Sequence, residues 1–595
     1  MKLKRVTLNS FRSINETTFS VGNLVSLIGE NNQGKSNILR GLQLFFSDDL
    51  ACTKEDLFND SKKVAEETYV ECAFDGLTAE EAEALKPWVI DGEIILRKAF
   101  TFNPDRSSLV CKGYMASRSP ETWKREFTRK MVNIQEVISF YRYSTKNYSG
   151  TTRPAYVYAW NKLKRDKTKV ATQTPVLFPL RESYLKKVNE LLPRYYFIPA
   201  QGNGNSPASI EPLLATIMEA LIWRMELGSG KLADLNAKLK ELEESFNDSK
   251  EAEVSDFRSL EKVLNEYLNL WGVKARMKVD FPRGEELLKK VTYIALDDGI
   301  ETRVNDKGDG VKRNLLLALI RIVAEGSYEN MKGGKISGHR SSIFAIEEPE
   351  LYLHPHMCRA MYDALTQISS ENQVILCTHS PHFVDLEDYD KIVIVRKKSI
   401  STGTTTRQVR DESFLGTGKR RFDLVRYFNP DRNEMFFSRK VVLVEGPTEK
   451  SIVPFLGKKI GVFDHSISII DCGGKHNMPL FIQVLNELEI PYLAIHDEDP
   501  IAPELMPGGS KYDENKFRMM KATFDLNQTF RNLCTKPFSK ELEVKGDFER
   551  LLGISQGAMD KYGKPYAAMR KFSVESAEIG KEVADLVKEV FRPPS

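Results

Sequence analysis

The sequence predicts an α/β protein that contains two sheet-forming units. An apolar strand at 24–28 leads through a glycine-containing loop into a helix, and amphipathic helices dominate residues 205–272. A second alternation of strands and helices begins with four consecutive apolar residues, VVLV at 441–444. Such a run is typical of a parallel strand that is buried on both faces. We therefore expect one α/β unit interrupted by helices, followed by a second α/β unit.

Length and composition exclude several classes of protein. The 595 residues correspond to about three to five units of domain size. Seven scattered Cys residues, without a C-x-x-C pair, argue against a disulfide framework and a zinc ribbon. The apolar stretch at 213–223 contains Glu219 and is shorter than the ~20 residues of a membrane span. The N-terminus lacks the apolar stretch of a signal peptide, so a cytoplasmic location without membrane contact is expected.

The first loop with recognisable chemistry is GENNQGKS at 29–36, which matches G-x-x-x-x-G-K-[ST] between a strand and a helix. Its glycines allow the backbone to approach phosphate oxygens, and the helix N-terminus supplies positive potential. We expect Lys35 to reach the outer phosphates of ATP and Ser36 to bind Mg²⁺. The expected ATP-binding residues of this loop are Gly29, Asn31, Asn32, Gly34, Lys35 and Ser36.

Two later strands also end in polar residues. The apolar segment SSIFAI precedes Glu347 and Glu348, and VILC precedes Thr378, His379 and Ser380. Buried carboxylates are costly unless a cation or a donor compensates them. We expect Glu347 to hold Mg²⁺ or its water, Glu348 to polarise the attacking water, and His379 to sense the γ-phosphate.

This order of motifs resembles the ABC-type ATPases of the SMC and RecF kind, from SFRS through the phosphate loop to EEPELYLHP and THSP. The resemblance implies two ATPase heads that sandwich ATP, each receiving a signature loop from the opposite head. The expected signature segment is 305–319, where Gly308 and Gly310 precede a helix, although its wording departs from the usual LSGGQ pattern. Gln201 is a candidate for the glutamine loop.

The second unit carries acidic residues at its strand ends. Glu445 follows VVLV, and Glu449 falls in the first turn of the next helix; Asp497 and Asp499 end the segment IPYLAIHDED. Because alternate residues of an extended segment project to one side, Asp497 and Asp499 should converge on one cation. Oxygen ligands of this kind suit Mg²⁺ or Mn²⁺ rather than Zn²⁺. The alternatives are a helix-dipole partner for Glu449 and a solvated acidic turn for the aspartates.

Glu445-Gly-x-x-Glu449 followed by Asp497-x-Asp499 resembles the Toprim domain, a Rossmann-like fold shared by topoisomerases, bacterial primases and some nucleases. An ABC-type head with a helical insertion followed by Toprim resembles the overcoming-lysogenization-defect (OLD) family over nearly the whole chain. The resemblance implies a DNA endonuclease that hydrolyses phosphodiesters with two cations about 4 Å apart.

Two further residues are assigned from the OLD resemblance. Lys564 in KYGKPYAAMRKF matches the late basic residue that stabilises charge on the scissile phosphate, and EVKGDFERLLGI resembles the segment of the second-metal carboxylate, where Glu549 is preferred over Asp547. The expected metal ligands are therefore Glu445, Glu449, Asp497, Asp499 and Glu549. A surface Lys-Pro pair and a surface helical Glu are the alternatives.

The resemblance predicts five segments. They are an ABC-type ATPase N-terminal lobe at 1–204, a helical dimerisation or arm insertion at 205–280, an ATPase C-terminal lobe at 281–398, a basic linker at 399–438, and a Toprim nuclease domain at 439–595. The helices of the insertion are equally compatible with a helical subdomain of a globular unit.

The sequence leaves three classes of function open. The first is an ATP-regulated, metal-dependent DNA endonuclease of bacterial or phage defence, acting as a homodimer or higher homo-oligomer. The resemblance also implies that a helicase, as in Gabija, or a retron reverse transcriptase with its nucleic acid can be a partner. The second is a RecF- or SMC-like DNA clamp, which has no need of the acidic residues. The third is a Toprim primase or topoisomerase, but the chain lacks a Cys/His zinc module and an obvious nucleophilic Tyr domain.

Charge distribution agrees with a local DNA-binding surface. The formal net charge is only +3, which does not by itself indicate a nucleic-acid-binding protein. Residues 391–440, however, contain 13 Lys or Arg against 5 Asp or Glu, counted along the sequence. Because two acidic cation sites offset basic residues elsewhere, near-neutrality is compatible with DNA binding.

Overall fold

The structure is a computed structural model. The residues it describes are 1–47, 52–59, 65–103, 108–117, 176–200, 231–247, 255–268, 275–276, 280–284, 286–287, 293–297, 299–324, 341–384, 391–399, 401–409, 430–574 and 577–594. Gln201, the apolar stretch at 213–223 and the basic residues of 410–429 lie outside these ranges. No helix in the described ranges is both long enough and apolar enough to cross a membrane.

The first unit is built on a mixed sheet of twelve strands, with the order β7-β6-β5-β4-β1-β2-β14-β13-β3-β12-β11-β8. The described strands before residue 410 are β1 (Lys2–Phe11), β2 (Ile14–Ser20), β3 (Leu24–Ile28), β4 (Glu67–Asp75), β5 (Ile94–Asn103), β6 (Ser108–Ser117), β7 (Val176–Pro179), β8 (Arg194–Ile198), β9 (Ala295–Asp297), β10 (Glu301–Arg303), β11 (Ser342–Glu347), β12 (Gln373–Thr378), β13 (Ile392–Ser399) and β14 (Gly403–Arg407). Strands β9 and β10 form a separate antiparallel pair.

The first unit contains seven α-helices within the described residues. They are α1 (Lys35–Phe46), α2 (Ala79–Ala84), α3 (Glu182–Leu191), α4 (Lys231–Asn247), α5 (Ser255–Leu268), α6 (Asp309–Ala324) and α7 (Pro355–Ile368). In α1, the buried residues Ile38, Leu42 and Phe45 recur at helical spacing, so this helix packs its apolar side on the sheet.

The sheet has an antiparallel half and a parallel half. Strands β13, β3, β12, β11 and β8 pair in parallel. Every residue of β3 and β12 is buried, as expected for parallel strands covered on both faces. Parallel pairing brings the carboxyl ends of β3, β11 and β12 to the same edge. The phosphate loop follows β3, Glu347 is the last residue of β11, and His379 follows β12.

Part of the predicted basic linker is a strand of this sheet. Strand β14 pairs with β13 and reaches β2 through Gly403 and Ile14. Its threonines are polar, yet Thr404 and Thr406 are buried because their hydroxyls have partners; the Thr406 hydroxyl lies 2.6 Å from that of Thr17. The Thr-rich composition of residues 403–407 thus reflects hydrogen bonding inside the sheet, and the linker expectation is wrong for these residues.

The second unit contains a four-stranded parallel sheet with the order β16-β15-β17-β18. Its strands are β15 (Lys440–Val444), β16 (Ile467–Asp471), β17 (Tyr492–Asp497) and β18 (Ser539–Val544). Its α-helices, with the short helix that precedes them, are α8 (Pro430–Asn433), α9 (Pro447–Lys459), α10 (Met478–Glu487), α11 (Glu514–Leu533), α12 (Phe548–Leu551), α13 (Gln556–Tyr562), α14 (Lys564–Ser573) and α15 (Lys581–Val590). The prediction of a buried parallel strand over 441–444 is confirmed, as is the α/β class.

The two units share one hydrophobic core. Ile28, at the end of β3, and Ile394 of β13 belong to the same buried cluster as Val441 and Leu443 of β15. Polar contacts extend this contact surface, since the Arg407 guanidinium lies 2.8 Å from the Glu489 carboxylate. The second unit therefore packs directly behind the strand that leads into the phosphate loop.

Candidate functional site

Two glycines fix the path of the phosphate loop. Gly29 has φ 153° and packs so tightly that an added Cβ would lie 2.3 Å from the Val395 carbonyl oxygen. Gly34 has φ 100°, and an added Cβ would lie 2.4 Å from the Thr404 hydroxyl and 2.6 Å from that of Ser13. Only glycine meets both demands, because side chains rarely adopt these φ values and have no space here.

Lys35 is buried inside the loop that it stabilises. Its Nζ donates to the carbonyl oxygens of Gly29 and Glu30, each at 2.9 Å. Burial lowers the pKa of Lys35, and nearby acids including Glu348 oppose that shift. Asn31, Asn32 and Ser36 are exposed around it. The loop thus presents backbone and polar groups to solvent around a single buried ammonium group, an arrangement suited to phosphate oxygens.

The carboxylates after β11 contain unsatisfied oxygens. Glu347 accepts a hydrogen bond from the Ala200 N–H at 3.3 Å through Oε2, while its Oε1 is buried with no described partner. Glu348 has φ 44°, and its N–H donates to the Cys377 carbonyl at 2.7 Å. Glu350 accepts from the His379 N–H at 2.6 Å through Oε1, and its Oε2 is buried with no described partner. Buried oxygens without donors fit a site that receives a divalent cation with its nucleotide.

His379 lies at the end of β12, beside this group. Burial, and next the charge of Lys35, lower the pKa of His379 to about 4. The imidazole is therefore neutral at physiological pH and can form a hydrogen bond without adding charge.

The predicted signature glycines Gly308 and Gly310 have open surroundings among the described residues. An added Cβ on Gly308 meets no described atom within 4 Å, and one on Gly310 comes within 4.0 Å of the Tyr352 carbonyl oxygen only. Helix α6 begins at Asp309, directly between them.

Arg313 in α6 is a site residue that the sequence analysis missed. It is buried, its Nη2 donates to the Ala200 carbonyl at 3.0 Å, and its Nη1 has no described partner. Burial lowers its pKa, and the charges of Glu350 and Glu348 oppose that shift. Since Ala200 also donates to Glu347, Arg313 connects the signature helix to the strand-end carboxylates. The only sequence signal is a basic residue before the apolar run NLLLALI.

The second site lies at the carboxyl ends of β15 and β17. We name the residues Glu445, Glu449, Asp497, Asp499 and Glu549 the acidic cluster. Glu445 accepts a hydrogen bond from the Asp497 N–H at 2.7 Å, which joins the two strand ends. Glu449 is buried in the first turn of α9. A hydrogen bond therefore joins the two motifs at Glu445 and Asp497, and the binding of one cation by the acidic cluster stays a prediction.

The backbone conformation at Asp499 differs from the extended strand that the sequence predicted. Strand β17 ends at Asp497, and Asp499 has φ 49°, in the left-handed region. Alternation along an extended strand therefore does not apply to this pair. A turn, rather than the strand itself, orients the Asp499 carboxylate.

Burial and mutual repulsion dominate the electrostatics of the cluster. Burial, and next the charges of Glu445 and Glu449, raise the pKa of Asp497 to about 8. Burial and the same kind of repulsion raise the pKa of Glu449 to about 7 and that of Glu445 above its ordinary value. These carboxylates lack enough positive charge around them. An all-oxygen donor set with this deficit fits Mg²⁺ or Mn²⁺.

The two acids near the C-terminus have different roles in the structure. Asp547 is the N-cap of α12, and its carboxylate accepts the Arg550 N–H at 2.7 Å. Glu549 is buried, lies 3.1 Å from the Lys564 ammonium, and accepts a hydrogen bond from the Thr448 hydroxyl at 3.4 Å. The Lys564 side chain is 61% exposed, so its ammonium can still reach a substrate.

Lys475 is a second residue that the sequence analysis missed. It is 4% exposed, and its Nζ donates to the Asp499 carboxylate at 2.9 Å and to the Asp497 carbonyl. Asp471, at the end of β16, also influences Glu449 electrostatically. The pattern DCGGK after an apolar strand could have indicated Lys475, because a glycine pair at a strand end indicates a tight turn.

A separate group on the other side of β17 is an ion-pair cluster. His496 lies 2.9 Å from Glu541, and their ligand atoms and one of Glu543 fall within 4.8 Å of one another. Arg531 pairs with Glu543 at 2.7 Å, so a cation already neutralises the group. We assign no metal to it.

Two family models match the chain. The model described as "AAA ATPase domain" matches residues 1–384, and the model described as "Overcoming lysogenization defect protein-like, TOPRIM domain" matches residues 436–499. The first match includes the phosphate loop, Glu347 and His379. The second includes four of the five residues of the acidic cluster.

Curated proteins that resemble the chain are named as nucleases. The OLD nuclease of Thermus scotoductus is 30% identical over 256 residues, which are 40% of this chain and 47% of that protein. The Old nuclease of Escherichia phage P2 is 23% identical over 524 residues, which are 84% of this chain and 77% of that protein. Endonuclease GajA of Bacillus cereus is 22% identical over 326 residues, 51% of this chain and 52% of that protein. The matched segments thus span about half of the Thermus and Bacillus relatives.

Proposed function

This chain belongs to the OLD family, in which an ATPase domain precedes a Toprim domain, and from that premise we propose that it is an ATP-regulated, divalent-metal-dependent DNA endonuclease. The observation that carries the proposal is the acidic cluster. Glu445 and Asp497 lie at the ends of two parallel strands, and Glu449 and Glu549 are buried on the helices beside them. The pKa values of Asp497 and Glu449 are raised to about 8 and about 7. Such a group is costly to a fold unless it binds cations.

At the nuclease site, a bound Mg²⁺ or Mn²⁺ would supply water activation and neutralise the leaving oxygen. Glu445, Glu449, Asp497 and Asp499 would hold the first cation, and Glu549 would help to hold the second. Glu449 and Asp497, whose pKa values are raised to about 7 and about 8, release their protons when they bind metal.

Lys564 contacts the DNA in this proposal. Its ammonium lies 3.1 Å from Glu549 and is largely exposed, so it can move from that carboxylate to the scissile phosphate. There it offsets the negative charge that develops during phosphodiester hydrolysis.

In the ATPase half, Lys35 exchanges its bonds to the Gly29 and Glu30 carbonyls for the outer phosphates of ATP. Ser36 and Glu347 would hold Mg²⁺, Glu348 would orient the attacking water, and neutral His379 would contact the γ-phosphate. Gly308 and Gly310 complete the site of a second copy, which makes the active form a homodimer or higher homo-oligomer. Sedimentation with and without ATP tests this assembly; a monomer under both conditions contradicts it.

The ATPase half controls the nuclease half through their common core. The Glu30 carboxylate of the phosphate loop lies 3.5 Å from Arg439, which immediately precedes β15. Arg396 donates to the Ser438 carbonyl at 2.9 Å from the neighbouring strand β13. A change in the phosphate loop on ATP binding therefore acts on the residues that lead into the acidic cluster.

A plasmid assay tests the function directly. Purified protein is incubated with supercoiled DNA and Mg²⁺ or Mn²⁺, beside Asp497→Ala and Lys35→Ala. We expect nicking or cutting by the wild type, loss of roughly 100-fold or more with Asp497→Ala, and loss of ATP turnover with Lys35→Ala. Undiminished cutting by Asp497→Ala overturns the nuclease assignment. ATP-dependent DNA binding without cutting by the wild type favours a clamp instead.

We extend the proposal to defence against phages, alone or beside a helicase or a reverse transcriptase. The names of the nuclease relatives support the activity, and a plaque assay tests the role. Cells that carry the wild-type gene should resist phages that form plaques normally on cells carrying Asp497→Ala. Equal plaque numbers across a broad phage panel contradict the defence role.

A further inference from the structure

The turn at 472–477 fixes a lysine inside the nuclease site. The Cys472 N–H donates to the Val444 carbonyl at 3.0 Å, and the Gly474 N–H donates to the Glu445 carbonyl at 2.7 Å. Gly473 and Gly474 have φ 70° and 122°, which lets the chain reverse directly into the short helical turn Lys475–Asn477. Lys475 is therefore held by the backbone of the strand end that carries Glu445.

From this position Lys475 reaches the other acidic segment. Its side chain is 3% exposed, and its Nζ donates to the Asp499 Oδ2 at 2.9 Å and to the main-chain carbonyl of Asp497. One ammonium thus spans both ends of the Asp497–Asp499 turn. A buried ammonium of this kind is stable only because an anion and a carbonyl replace its water.

The turn needs such an anchor. Asp499 has φ 49°, in the left-handed region, which a non-glycine residue keeps only where surrounding contacts hold it. Its carboxylate is 38% exposed and is repelled by the neighbouring carboxylates, so without a partner it would turn toward solvent.

We propose that Lys475 is a positioning residue of the nuclease site, a built-in cation that holds the Asp497–Asp499 turn in the arrangement that binds the divalent metal. The inference rests on the proposed metal-dependent nuclease function. A positioning role and simple charge compensation predict opposite changes in metal affinity when Lys475 is removed. A merely compensating ammonium competes with the metal, so its removal tightens metal binding, whereas the loss of a positioning residue weakens metal binding.

The test measures Mn²⁺ binding to the full chain by isothermal titration calorimetry, in Lys475→Gln and in the conservative variant Lys475→Arg. We expect the Kd for Mn²⁺ to rise about tenfold or more with Lys475→Gln, as for the loss of groups that orient metal ligands, and to recover partly with Lys475→Arg. An unchanged or lower Kd in Lys475→Gln overturns the proposal.

The matched control is Lys440→Gln. Lys440 is also buried and also binds carbonyl oxygens, those of Glu589, Val590 and Arg592, but it lies at the opposite end of β15 from Glu445. This variant should lower the unfolding temperature without changing the Kd for Mn²⁺. An equal rise in Kd with Lys440→Gln means that general destabilisation, and not positioning, explains the Lys475 effect.

A double variant shows whether Lys475 acts on metal binding through Asp499. It also provides a test if the Lys475→Gln protein does not fold. Since Lys475 acts through Asp499, adding Lys475→Arg to Asp499→Asn should raise the Kd no further than Asp499→Asn alone; a fully additive rise overturns the proposal. The two hypotheses remain separable. Wild type that binds Mn²⁺ without cutting DNA defeats the nuclease function alone, whereas wild type that cuts beside a Lys475→Gln protein with normal binding defeats the positioning role alone.

Discussion

The phosphate loop around Lys35 and the acidic cluster around Asp497 both lie at the carboxyl ends of parallel strands, but their charges are balanced differently. In the phosphate loop one buried ammonium is satisfied by its own loop carbonyls, and the neighbouring His379 is neutral. In the acidic cluster several buried carboxylates repel one another, and two have pKa values of about 7 and about 8. The first site is prepared for an anion and the second for cations. The two sites should therefore respond in opposite ways to substitutions and to pH.

Among these substitutions, Glu348→Gln should give the largest difference between the responses of the two sites. It removes the carboxylate that orients the attacking water, so ATP turnover should fall by about 10²–10⁴-fold while Mn²⁺ binding to the acidic cluster stays unchanged. Coupled-enzyme ATPase assays and calorimetry measure the two quantities. A parallel loss of Mn²⁺ binding would show that the two sites are not independent.

Gly34→Ala should abolish ATP binding and destabilise the fold by about 1–3 kcal/mol, because its φ is 100° and a Cβ would lie 2.4 Å from the Thr404 hydroxyl. Gly461→Ala is the matched control, since Gly461 also has a positive φ, 73°, but an added Cβ meets nothing within 4 Å. Nucleotide binding by fluorescence and urea unfolding separate the two variants. Equal losses in both variants would assign the effect to backbone conformation alone.

pH should affect the acidic cluster with a defined sign. The pKa values of Glu449 and Asp497 are raised to about 7 and about 8 in the folded chain, so the folded state retains protons that the unfolded state has lost. The metal-free protein should therefore lose stability as pH rises through 7 to 8, while the affinity for Mn²⁺ increases. Thermal unfolding between about pH 6 and about pH 8.5, with and without Mn²⁺, measures this. Metal-free stability that rises over this window would contradict the assigned shifts.

Arg439→Gln should have the smallest effect on stability. Its partner Glu30 is 3.5 Å away and the Arg439 side chain is 65% exposed, so the pair contributes about 0–1 kcal/mol. The expected change is instead in the response of DNA cutting to ATP, with ATP turnover and metal-saturated cutting otherwise retained. Arg592→Gln, another exposed arginine in an ion pair, is the control, because it pairs only with the neighbouring Glu589. An unaltered ATP response in Arg439→Gln would exclude this contact as the connection.

The sequence predicted those parts of the molecule in which local pattern and chemistry coincide. Buried parallel strands appear as apolar runs, and the residues that follow them were therefore placed correctly at shared edges, as with Glu445 and Asp497. Strand β14 was missed because its buried threonines look like linker residues until the hydroxyl partners on β2 are known. The predicted domain boundaries and the dimerisation role of the helices at 205–280 stay predictions.

Arg313 and Lys475 were missed for a related reason. A basic residue in an isolated sequence is most often a solvated one, and only the fold shows that each of these two is buried against groups distant in sequence. The extended-strand argument for Asp499 did not apply, because alternation along a strand gives no information beyond the last strand residue. Tertiary contacts, rather than local periodicity, thus determine which residues hold the side chains of both sites in place.

The core shared by Ile28, Ile394, Val441 and Leu443 bears on how such proteins evolve. Recombination that joined a foreign C-terminal half just before Lys440 would leave apolar side chains uncovered on both halves. Successful exchange requires that the new half bring a complementary apolar surface, as well as a working set of acids. We therefore expect an exchanged C-terminal half to destabilise the chain unless its apolar surface fits Ile28 and Ile394.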